Sequence, residues 1–152
     1  MSDVSVESKR ILPFAKPLTD FFSPFAEPVL RIAAGAMLVP HGYQKLFVDG
    51  TLEGTAGFFE QVGFVPGYPF ALTVALIEFV GGLLLIAGLL TRPAAVAIAA
   101  FLGQAVLFHT ANGFFWTDGG YEYPLLWAIA ALFFAVRGGG KYSVDRLIGR
   151  EF

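Results

Sequence analysis

Glu78 is the only charged residue in the stretch Phe70–Leu90, which reads FALTVALIEFVGGLLLIAGLL. A carboxylate in such surroundings needs either a cation or a proton beside it. Two candidate partners, His41 and Lys45, lie one helical turn apart, with Gln44 at the i+3 position between them. Gln104 and His109 punctuate a later apolar segment, and Asn112, Tyr121, Glu122 and Tyr123 follow it. Together these residue types suit proton exchange by Glu78 and His41 with a bound redox or carrier ligand, Lys45 holding the charge of Glu78 and the others lining the pocket. The competing reading is a Glu–Lys or Glu–His pair that only fixes helix register. His41 and His109 belong to different segments, so their spacing carries no metal signature, and hydrogen-bonding histidines are preferred to metal or haem ligation. Tyr43, Phe47, Phe108, Phe114, Phe115 and Trp116 could stack on a flat ligand such as a quinone ring. Taken singly, each fits a lipid belt or core packing better.

The elements that must position these residues are apolar helices. At about 1.5 Å per residue, Phe70–Leu90 spans roughly 30 Å, the thickness of a bilayer's hydrocarbon core. It lacks the polar face of a surface helix. The whole chain agrees: 56% of its 152 residues are hydrophobic and only 14% are charged, and its mean hydropathy is +0.67. Those values fit one domain of a small multi-span membrane protein. The net charge of −2 argues against a nucleic-acid partner. The absence of cysteine excludes disulfides, Fe–S ligation and thiolate nucleophiles supplied by this chain.

In chain order, residues 1–26 read as a cytoplasmic or interfacial segment in which Lys9, Arg10 and Lys16 alternate with aromatic residues. Pro13, Pro17 and Pro24 interrupt it, so it does not read as a cleavable signal. Four spans are expected at about 28–47, 70–90, 93–110 and 121–137. Pro40 kinks the first. The connection Val48–Tyr68 is long, and Phe58, Phe59, Val62 and Phe64 suggest a short interfacial helix acting as a lid. Gly81, Gly82 and Gly88 permit close helix approach. Residues 141–152 read as a charged cytoplasmic tail. Basic residues cluster near both termini and at Arg92, which places both termini in the cytoplasm. Arg31 is expected to snorkel to its near interface. By helix rise, His41 and Glu78 then lie roughly 9 and 12 Å deep from the outer face, with Gln104 at a similar level. This predicts a polar pocket in the outer half of the bundle, open or gated toward the extracytoplasmic side.

Several motifs coincide. Pro40–His41–Gly42–Tyr43–Gln44–Lys45–Leu46–Phe47 resembles the HGxQKLF signature of the DoxX family. So do Glu78 with Gly81–Gly82, and Gly88–Leu89–Leu90–Thr91–Arg92. Asn112–Gly113–Phe114–Phe115 and Gly119–Gly120–Tyr121–Glu122–Tyr123–Pro124 look like its third loop, and Gly140–Lys141–Tyr142–Ser143–Val144–Asp145 like its closing motif. The resemblance runs from about Val29 to Asp145. It implies a bacterial inner-membrane protein with a 27–140 transmembrane domain. Some family members are subunits of a thiosulfate:quinone oxidoreductase and others join oxidative-stress assemblies. A sulfur relay, if one operates, must then use another subunit.

The expected fold is an all-α, integral membrane four-helix bundle with both termini cytoplasmic, in contact with lipid and acting as a homo-oligomer or a subunit of a complex. The expected function is a quinone-linked redox component. The alternatives are a non-catalytic scaffold or accessory subunit and a small-solute carrier.

Overall fold

The computed structural model describes residues 11–150 and residue 152. The polar tip carrying Lys9 and Arg10 lies outside the described residues. All regular structure among the described residues is helical. The main elements are α1 (Lys16–Phe47), α2 (Thr51–Gln61), α3 (Tyr68–Leu76), α4 (Gly82–Ala87), α5 (Thr91–His109), α6 (Glu122–Arg137) and α7 (Val144–Leu147). A π-helical turn, Ile77–Gly81, joins α3 to α4 as one continuous rod. Three helical stretches are long and apolar enough to cross a membrane: Pro13–Phe47, Tyr68–Ala87 and Thr91–Asn112.

Helix α1 starts well before the expected Pro28. Pro24, Pro28 and Pro40 all lie inside it. A proline removes one N–H bond but already holds a helical φ, so each weakens the helix locally without ending it. Lys16 pairs with Asp20 one turn on, at 2.5 Å. Around them Leu18, Phe21 and Phe22 are exposed, so this first part of α1 projects from the packed body.

Close packing of α1 on α3–α4 depends on glycine. A Cβ on Gly35 would lie 2.5 Å from the Gly82 carbonyl oxygen, and one on Gly42 would collide with the Phe79 backbone. Two backbones can approach this closely only where side chains are missing. Gly81, by contrast, meets Ile98 at ordinary contact distance. The core then fills with small and medium side chains: Ala34 and Leu38 of α1, Leu85 of α4, Ala95, Ile98 and Leu102 of α5, and Ala131 and Phe134 of α6.

At one end of this core the chain seals itself with buried polar groups. Arg31 does not snorkel. It is 1% exposed. Its guanidinium donates to the carbonyls of Leu85 (2.6 Å), Ile86 (2.7 Å) and Tyr142 (2.6 Å). The first two are carbonyls of the last turn of α4, where a cation is favoured. Gly88 ends that helix with φ +68°, a conformation open to glycine. The segment after α6 folds back rather than trailing as a tail. Asp145 is buried, and its carboxylate accepts from Leu90 N, Thr91 N and Thr91 Oγ1 at 2.7–2.9 Å. It thereby satisfies the orphan donors at the start of α5. Phe25 stacks on Tyr142 at 5.6 Å, and Glu27 binds Arg137 at 2.9 Å.

Candidate functional site

The opposite end is hollow. A cavity of about 1010 Å³ opens among α1, α3, α5 and α6, with α2 crossing it. Its walls come from the later turns of α1 and α5 and from the first turns of α3 and α6. Those ends meet because successive long helices run in alternating directions. The lining is mainly apolar, and its size and character match a small-molecule site.

Helix α2 is a short helix in the first connection, as expected, but it ends at Gln61, before Val62 and Phe64. Thr55, Phe58 and Phe59 face the cavity from it. Phe58 meets Phe108 edge-on at 5.6 Å, and Phe64 meets Phe70 at 4.9 Å. Aromatic edges against aromatic faces pin this helix over the opening. Glu60 anchors its far end by accepting from Gly67 N at 3.1 Å.

The polar groups lie on the cavity wall. Lys45 Nζ donates to Glu78 Oε2 at 2.7 Å. Glu78 is 4% exposed and sits in the π-helical turn, where the helix widens to take an extra residue. His41 lies one turn before Lys45 on the same face, and its Nδ1–H donates to Met37 O at 2.7 Å. Gln104, His109 and Tyr123 also line the cavity, with Thr55, Thr73 and Trp127.

Four of the residues expected here are elsewhere. Gln44 is exposed and turned away from the cavity. It is one residue from Lys45, hence about 100° round the helix. Asn112 Nδ2 donates to Gly119 O at 3.1 Å, and Glu122 Oε2 accepts from Trp116 N at 3.2 Å. Tyr121 packs edge-on against Phe114 at 5.6 Å. Those three brace the loop between α5 and α6. His109 shares that duty, donating from Nδ1 to Gly119 O at 2.7 Å, while still lining the cavity. Trp116 stacks on Tyr123 at 5.4 Å, so its ring is engaged with the loop and the start of α6. Among the described residues, no three His, Cys, Asp or Glu side chains gather as a metal-binding group.

The sequence did not signal the sealed end. Asp145 and Thr91 are 54 residues apart, and no spacing rule links them. The aromatic clasp of Phe58, Phe64, Phe70 and Phe108 was visible only as scattered phenylalanines.

Comparison with known proteins places this architecture. The DoxX family model matches residues 28–111. An uncharacterized protein of Haemophilus influenzae is 34% identical over 128 residues, covering 82% of this chain and 91% of that one. The Escherichia coli "Inner membrane protein YqjF" is 34% identical over 125 residues, covering 82% and 92%. The Bacillus subtilis "Putative oxidoreductase CatD" is 30% identical over 120 residues, covering 79% and 84%. No solved structure matches. With the family match taking in the cavity helices α1, α3 and α5 and with relatives aligned along most of its length, the chain is a membrane protein and belongs to the DoxX family.

Proposed function

We propose that this chain is a quinone-linked redox component of a bacterial inner membrane. The observation that carries the reading is the cavity: about 1010 Å³, apolar over most of its surface, with one ion pair and two histidines on its wall. A quinone head group is flat and apolar apart from its oxygens, and the cavity supplies matching surface and a few polar contacts. A quinone that becomes a quinol takes up two electrons and two protons. Glu78 and His41 exchange the protons, and Lys45 holds the charge of Glu78. The electrons come from a redox group on a partner, since a thiol relay in a chain without cysteine is ruled out. The oxidoreductase in the name of the CatD relative and the inner membrane in that of YqjF agree with this reading. We place α6 as a fourth span beside the three longer helices, with both termini in the cytoplasm and the cavity toward the outer face.

Glu78→Gln is expected to abolish quinone-dependent turnover in the assembled complex while the protein stays folded. Retained turnover would rule out the proton role. The closed Lys45–Glu78 pair also suits a scaffold or accessory subunit, in which the pair only sets helix packing. In that case Glu78→Gln lowers stability and changes no ligand binding. Native mass spectrometry from mild detergent separates the two by reporting a retained quinone or a second subunit.

A further inference from the structure

Both cavity histidines have one ring nitrogen already engaged. His41 Nδ1–H donates to Met37 O and His109 Nδ1–H donates to Gly119 O, each at 2.7 Å. A carbonyl oxygen carries no proton, so the hydrogen in each bond belongs to Nδ1. In the neutral ring Nε2 is then a lone-pair acceptor, and it is the nitrogen left to meet a ligand. The two rings reach the cavity from different helices, α1 and α5. Glu78 adds a further acceptor, Oε1, because Oε2 already takes the Lys45 proton. Lys45 has more protons to give, but it also lines a second, polar notch of about 160 Å³ that it shares with Asp49 and Glu53. Gln104 and Tyr123 can each donate or accept. Lys45 and the Trp127 indole N–H are donors on this wall, and the two histidine Nε2 atoms are acceptors that reach it from two different helices.

We propose that the cavity is built for the reduced, dihydroxy form of an aromatic ligand, whose two hydroxyls donate to His41 Nε2 and His109 Nε2. The inference rests on the reading of the cavity as a quinone site and specifies the redox form that it holds. The oxidised dione carries only acceptors. On these two rings it sets lone pair against lone pair, and neither histidine gains a donor. Sites built around a ligand's hydroxyl discriminate strongly against the analogue that lacks it.

The test compares ubiquinol-1 with ubiquinone-1 binding to the full chain in lipid nanodiscs under anaerobic conditions, read by tryptophan fluorescence quenching. The quinol is expected to bind at least tenfold more tightly. His41→Gln and His109→Gln should each bring the ratio toward one, because a glutamine side chain offers both a donor and an acceptor. A second measurement needs no variant: redox titration of the bound couple in the wild-type protein. Tighter binding of the reduced form raises its midpoint potential, by about 30 mV for a tenfold preference in a two-electron couple. Equal binding, or tighter quinone binding, overturns the inference and leaves the cavity as a quinone site. A preference that survives both substitutions overturns the assignment to the histidines. Failure of both probes to bind overturns the inference and the quinone reading together.

Discussion

Lys45 and Glu78 meet at 2.7 Å with little exposure on either side chain, so removing one of them strands the other. Lys45→Met is expected to cost about 3 kcal/mol, while Lys45→Met combined with Glu78→Gln costs much less. Reversible unfolding in mixed detergent micelles, run as a double-mutant cycle, measures the difference. Asp145 is a comparable case at the sealed end. Asp145→Ala leaves three donors without an acceptor, two of them buried, and should lower stability by about 3 kcal/mol. Ligand binding at the far end should be unchanged in that variant, which thermal melts with and without a quinone would check. At this scale the sequence was legible where one helix carries the information. His41 and Lys45 share a face by simple periodicity, and a lone glutamate in an apolar run demands a partner. Asn112, Tyr121 and Glu122 were misplaced because they answer to backbone groups and rings of an irregular loop. Arg31 was misread for a related reason: its acceptors are carbonyls from residues 54, 55 and 111 positions away.

Among the elements, the crossing of α1 over α3–α4 is the most sensitive to substitution. A leucine at Gly35 must displace the Gly82 backbone or the Ile86 side chain. Gly35→Leu is expected to cost about 2 kcal/mol and to separate the two helices, which a pair of spin labels on α1 and α4 would report as a longer distance. Gly103 meets nothing within 4 Å, so Gly103→Leu serves as the control. Helix existence and approximate bounds were readable from hydropathy alone. The early start of α1 was not, because prolines weigh against a helix locally while the continuing helix absorbs them. The π-helical turn was also invisible. Nothing in Ile77–Gly81 signals bonding to the fifth residue rather than the fourth, and yet Glu78 sits in that turn.

The whole molecule is polarised along its long axis: hollow and lined by the Lys45–Glu78 pair and two histidines at one end, closed by Arg31 and Asp145 at the other. Reporter fusions at the two termini should give the same cytoplasmic signal, and a fusion in the loop between α5 and α6 the opposite one. Opposite signals at the termini would remove α6 as a span. The closed end has a consequence for biogenesis. Tyr142 and Asp145 leave the ribosome after every helix that they fasten. Until they emerge, the start of α5 has no acceptor for Leu90 and Thr91, and the end of α4 has Arg31 without its third partner. A nascent chain halted after α6 therefore holds all its long helices and still lacks the fastening between them. Quality-control proteases in the membrane would read such a product as unfinished, whatever it has already inserted.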